Sequence, residues 1–186
     1  MKLNIKNYTN IISSSLAHVD QKIIEQVIKK IKEIKKKNKK LIIVGNGGSA
    51  AISSHVATDF TKNAGVRAIC FSSSSLITCL ANDYGHDHWM AKAIKLHSQK
   101  GDYIIFISSS GNSKNIVNAA KFCKQQKLNY LTLTGMSKKN KLLSINKQGL
   151  NIWINSKSYN IIEITHLTIL LYLVDKVIGK LIYKAS

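Results

Sequence analysis

The sequence predicts an α/β fold, a doubly wound sandwich of three layers. Short apolar runs of strand length recur along the chain, helical patterns separate them, and small polar residues gather where a run gives way to a helix. Strands that alternate with helices pair in parallel and are covered on both faces. In such a sheet the ligand lies outside the carboxyl ends of the strands.

Each element follows from its pattern. Residues 10–37 carry Ile23, Ile24, Val27, Ile28, Ile31 and Ile34 at helical spacing, with Lys and Glu on the other face. They predict one long amphipathic N-terminal helix, closed by the Lys35–Lys40 run as cations close a helix C-terminus. Leu41–Val44 is the first buried strand, and Gly45–Ser49 breaks it into a helix over residues 50–62. Val66–Phe71 predicts a second strand, Leu76–Ala81 a short helix, Asn82–Gly85 a turn and residues 87–99 a helix. Tyr103–Ile107 is the third strand, followed by the polar loop Ser108–Ser113 and a helix over 114–126 with Ile116, Ala119, Ala120 and Cys123 on one face. Leu128–Leu133 and Leu150–Ile154 are the remaining strands, with a polar region between them, and residues 159–182 form the closing helix. The whole reads as one domain over 1–186, a helical extension over 1–40 and an α/β core over 41–186.

Composition bounds the function. At 45% hydrophobic residues the 186-residue chain can build a core without disulfide or metal. The net charge of +19 is nearly all lysine, because Arg67 is the only arginine. Base readout and bidentate phosphate clamps favour Arg, so the charge reads as a solvated surface and nucleic acid is not the expected partner. Cys70, Cys79 and Cys123 have no CxxC spacing, which fits a reduced, cytoplasmic setting. The N-terminus lacks a signal-peptide pattern, and polar residues interrupt the most apolar segment, Ile164–Ile182, so no membrane span is expected.

Two strand-to-helix loops are built alike: Gly45-Asn46-Gly47-Gly48-Ser49 and Ser108-Ser109-Ser110-Gly111-Asn112-Ser113. Glycine lets backbone N–H groups approach an anion, serine adds hydroxyl donors, and the following helix offers unpaired N–H groups with partial positive charge. One such loop is ordinarily a helix cap. Two at the same sheet edge point to a phosphate. Neither has the Gly-Lys-Ser/Thr ending of a P-loop or a dinucleotide fingerprint, so no nucleotide cofactor is expected.

The stretches LIIVGNGGSAAISSHVATDF, SSLITCLANDYG, IIFISSSGNSKNIVNAAKFCK and LTLTG resemble, in order, the phosphoheptose isomerases of the sugar-isomerase (SIS) domain family. The resemblance implies a flavodoxin-like five-stranded parallel sheet, a homotetramer with sites at subunit interfaces, and conversion of sedoheptulose 7-phosphate to a D-glycero-heptose 7-phosphate for lipopolysaccharide or capsule. Carried over by position, it implies phosphate and substrate contacts from Asn46, Gly47, Ser49, Asp83, Ser108, Ser109, Ser110, Asn112 and Ser113. Ser109 stands where the family usually has Thr. The resemblance also implies a zinc site, with His55 at a ligand position, Asp59 where the family has its Glu base, and Glu163 where it has a Gln.

Aldose–ketose isomerisation needs a base beside the carbonyl and an acid for the oxygens. Asp59 keeps a carboxylate at i,i+4 from His55, one methylene shorter than the family's. Leu171, or Leu170 on a one-residue slide, occupies the place of the family's catalytic His. His86, His88 and His97 follow the 82–85 turn and read as surface residues, and His18 has no partner visible in sequence. The leading expectation is an isomerase. Its alternative is a non-catalytic phosphosugar-binding module with a regulatory or partner-binding role.

Overall fold

In the computed structural model, residues 4–182 are described. The elements run α1 (Ile5–Ala17), α2 (Gln21–Lys36), β1 (Leu41–Val44), α3 (Gly48–Lys62), β2 (Ala68–Cys70), α4 (Ser74–Tyr84), α5 (Trp89–His97), β3 (Tyr103–Ser108), α6 (Lys114–Gln125), β4 (Asn129–Thr134), α7 (Lys141–Ile145), β5 (Leu150–Trp153) and α8 (Tyr159–Ile178). The five strands form one sheet in the order β2-β1-β3-β4-β5, every pair parallel. This is the flavodoxin-like order, with its topological switch between β1 and β3.

Period-two alternation divides the core into two layers. Leu41 and Ile43 of β1 and Tyr103, Ile105 and Ile107 of β3 pack with α2, α3 and α8 on one face. Ile42, Val44, Ile104 and Phe106 pack with α4, α5, α6 and Leu142 of α7 on the other. No helix among the described residues is long and apolar enough to cross a membrane.

The N-terminal segment differs from its expectation. It is two helices, because the Asp20 carboxylate accepts a hydrogen bond from Lys22 N–H at 2.8 Å and starts α2 afresh. The periodic apolar residues belong to α2, which buries Ile24, Val27, Ile28, Ile31 and Ile34, whereas α1 buries none. Helix α4 runs through Asn82 and Asp83 to Tyr84, so the expected four-residue turn shrinks to Gly85 at φ 77°. Helix α8 stops at Gly179, whose left-handed φ of 88° ends it before 182.

Two buried polar contacts pin opposite edges of the sheet. At the amino edge Asp102 accepts from Lys40 N–H, Gln99 N–H and, at 2.5 Å, the Lys40 ammonium. At the carboxyl edge the fully buried His166 of α8 donates its Nε2–H to the Thr134 carbonyl at 3.2 Å, which ties α8 to the end of β4. The tautomer follows from the partner, since a carbonyl only accepts.

Asp102→Ala leaves the Lys40 ammonium without its buried partner, and urea unfolding should show a loss of about 3–5 kcal/mol. His166 yields a pH dependence. Burial pulls its imidazole down to about 4 from 6.5, so between those values the unfolded chain binds the extra proton. The neutral imidazole's contribution is complete above the unfolded value and is lost as pH falls toward the folded one, by up to about 3 kcal/mol. Urea midpoints at pH 7 and pH 4.5 should therefore fall more steeply for the wild type than for His166→Gln.

Candidate active site

Because β1 and β3 are parallel neighbours, their carboxyl ends bring the two Gly/Ser loops to one crevice. A reciprocal amide pair joins them. Asn46 Nδ2 donates to Asn115 Oδ1, and Asn115 Nδ2 donates to Asn46 Oδ1, both at 2.9 Å. Asn115 is 1% exposed in the first turn of α6, and its Oδ1 also accepts the Ile116 N–H. Sequence reasoning singled out Asn46 and missed Asn115. The available signal was a second Asn placed directly after the SGNSK motif, in a helical turn whose neighbours are apolar.

The loops are not ordinary caps. Asn4, Asp20, Asn140 and Ser158 cap α1, α2, α7 and α8 through their side chains. Helices α3 and α6, which open from the two loops, have Gly47 and Ser113 at the N-cap and, like α4 and α5, no side-chain cap bond. Ser49 and Ala50 N–H bond the Asn46 and Gly47 carbonyls and Ile116 N–H bonds the Asn115 side chain, so the first-turn amides left to a ligand are those of Gly48, Lys114 and Asn115. Gly47, exposed, holds φ 54° and ψ −124°, a conformation open to glycine.

The serines keep hydrogens to donate. Ser108 Oγ accepts the Gly111 N–H and Ser110 Oγ accepts the Asn112 N–H, each at 3.2 Å. A hydroxyl that accepts in this way still carries its own donor. Ser109 Oγ is buried without a partner, and Ser49 is buried in the first turn of α3. Gly111 turns the second loop at φ 63°, with the Asn140 amide packed where a Cβ would be, 2.2 Å from Oδ1. Asn140, also missed in sequence, thus caps α7 and braces this loop. Asn112 Oδ1 accepts the Lys141 N–H at 3.0 Å, so that oxygen serves the scaffold and the amide hydrogens remain free for a ligand.

The other candidates are spread out. Glu163 of α8 lies against the first turn of α3: a Cβ on Gly48 would sit 2.3 Å from Glu163 Oε2. A carboxylate there meets the positive end of the helix. His55 and Asp59 lie on the later turns of the same helix, Nε2 to Oδ2 3.6 Å, with the Asp59 Oδ1 accepting from Asn63 Nδ2 at 3.1 Å. Asp59 follows Gly48 by eleven positions, about 16 Å along the axis. Asp83 ends α4, where it is exposed and bonds Asn82; no hydrogen bond joins it to either loop. Leu170 is fully buried and Leu171 packs half-buried against the core. His18, His86, His88 and His97 are exposed.

A zinc shell takes four N, S or O ligands. Within one chain the candidates do not fit it: His55 and Asp59 are a pair, Glu163 sits at the far end of α3, and no cluster of three His, Cys, Asp or Glu exists among the described residues.

Comparison with known proteins agrees with this geometry. The SIS domain profile matches residues 6–135. The phosphoheptose isomerase of Aneurinibacillus thermoaerophilus is 33% identical over 142 residues, covering 73% of this chain and 72% of the relative. Phosphoheptose isomerase 2 of Campylobacter jejuni is 40% identical over 108 residues, covering 55% and 54%. The solved phosphoheptose isomerase from Neisseria gonorrhoeae shares the fold at a TM-score of 0.84 and 22% identity, covering 92% of this chain and 96% of that one. The chain therefore belongs to the SIS domain family, among the phosphoheptose isomerases.

Proposed function

We propose that the chain is a phosphoheptose isomerase, converting sedoheptulose 7-phosphate to D-glycero-D-manno-heptose 7-phosphate through an enediol and so supplying heptose for a cell-surface glycan. The observation that carries this reading is the pair of uncapped Gly/Ser loops locked side by side by Asn46 and Asn115 at the β1/β3 crevice. The hydroxyls of Ser49, Ser108, Ser109, Ser110 and Ser113 and the helix N-termini replace the hydration of a phosphate, which fixes one end of the sugar.

The chemistry at the other end needs a carboxylate. Asp59 takes a proton from C1 of the ketose, the enediol forms, and the same group returns the proton to C2. One group serves both carbons because they are adjacent. Leu171 has no proton to give, so O1 and O2 exchange theirs with another group.

The length of α3 supports a site shared between copies. Glu163 at one end of that helix and Asp59 at the other cannot attend to one atom within a chain. The loops and Glu163 of one copy would face His55 and Asp59 of another, in a homo-oligomer for which a tetramer fits the resemblance. Leu171 favours a second reading, a phosphosugar-binding module without turnover.

NMR of sedoheptulose 7-phosphate incubated with the protein separates the two, with zinc added in one arm and EDTA in the other. Turnover is expected, and Asp59→Asn should lower kcat by about 10²- to 10⁴-fold in any arm that turns over. Saturable binding with no turnover in either arm would establish the module instead. Ser110→Ala should raise KM about tenfold with kcat nearly unchanged, since the phosphate is held equally in ground and transition states.

A further inference from the structure

The phosphate loops hold no cation. Beside them the same edge of the molecule does the reverse. Between α6, the loop after β4, and α7 lies a cleft of about 470 Å³ whose wall carries Lys114, Lys121, Lys139 and Lys141. Asp87 is its only acid, and it already pairs with Lys114 at 3.5 Å. Asn118 Nδ2 donates to the Asp87 carbonyl at 2.9 Å and fixes that wall. Lys121, Lys139 and Lys141 have no carboxylate partner among the described residues. The neighbouring Lys138 is occupied, its ammonium 4.6 Å from the centre of the Trp153 ring.

Three uncompensated ammonium groups around one concavity repel each other, and a concave wall focuses their field. A multivalent anion relieves that repulsion in proportion to the charges it brings. A single phosphate neutralises at most two, whereas a chain of phosphates brings three or more at spacings that reach several lysines together. The cleft also exceeds what a bare anion needs and lies within the usual range of ligand pockets. Val117 and Ile145 line it with apolar surface, so an organic group attached to the phosphates has somewhere to lie.

We propose that this cleft is a binding site for an oligophosphate, of the class of phosphoanhydride metabolites carrying three or more negative charges. It adjoins the sugar-phosphate crevice and shares Asn112 of the second loop with it. Lys141 N–H donates to Asn112 Oδ1, and Leu142 N–H donates to the Gly111 carbonyl, both at 3.0 Å. An occupant that draws on Lys139 and Lys141 grips the segment that braces the second phosphate loop.

The test is titration calorimetry of the full chain with inorganic tripolyphosphate at about 0.15 M salt, where diffuse surface attraction is screened. One tripolyphosphate per chain is expected. The triple variant Lys121→Ala/Lys139→Ala/Lys141→Ala should bind at least about tenfold more weakly. The triple variant Lys22→Ala/Lys32→Ala/Lys157→Ala removes the same charge from exposed positions on α2 and before α8 and should stay within about twofold of the wild type. Equal losses in the two variants would assign the binding to diffuse charge and overturn the proposal. So would unchanged binding in the first variant, or no binding by the wild type. All six lysines are exposed, so both variants should fold, and circular dichroism checks that they do. The readout needs no turnover, so it stands or falls apart from the isomerase assay.

Discussion

The adjacency of β1 and β3 is the constraint on which the site depends. Two strands consecutive in space but not in sequence must leave their following helices on opposite faces of the sheet, and a crevice opens between the helix N-termini. Here that crevice is drawn shut at one point by Asn46 and Asn115, which satisfy each other's amides. The contact crosses 69 positions of sequence. It holds only if the β1–β3 register places Val44 beside Phe106, so the strand pairing and the alignment of the two loops are one fact. With Asn115 buried, a shifted register would leave polar atoms without partners, and each such loss costs on the order of 1–3 kcal/mol.

A second rigid part is α3. It begins inside the first phosphate loop and carries His55 and Asp59 away from it. A helix cannot be bent to bring its ends together, so Glu163 at its start and Asp59 on its far turns cannot meet at one atom within a chain. Glu163 shows the opposite placement. It comes from the last helix in the chain yet lies on the first turn of α3, because Gly48 leaves no side chain in its way.

The order of strands and helices was legible from hydrophobic periodicity, since β1 and β3 are wholly buried runs, β4 is buried after its first residue, and α2 and α6 show clear stripes. The break at Asp20 was not, because apolar spacing continues across it and a cap is a local contest between a carboxylate and the next helical turn. The two Gly/Ser loops were legible as a pair because each stands between an apolar strand and a helix. What holds them together was not: Asn115 and Asn140 act on partners far from them in sequence, and Asn in a helical turn has no signature of its own. His55, Asp59 and Glu163 were each identifiable by resemblance. That they lie at two ends of one helix follows from geometry, which the residue types do not encode.

The charge of the molecule and the neutrality of its phosphate loops fit one another. A field from many lysines draws any anion toward the surface and is damped by salt within about 10 Å. It cannot tell a sugar phosphate from another anion, because a flexible ammonium accepts almost any geometry. Hydroxyls and backbone amides fixed at a strand end attract less from a distance, yet they accept only an anion whose oxygens match their directions. Steering and selection are therefore assigned to different groups at the crevice. In the neighbouring cleft the lysines do both, and selection there can rest only on the number of charges a ligand brings.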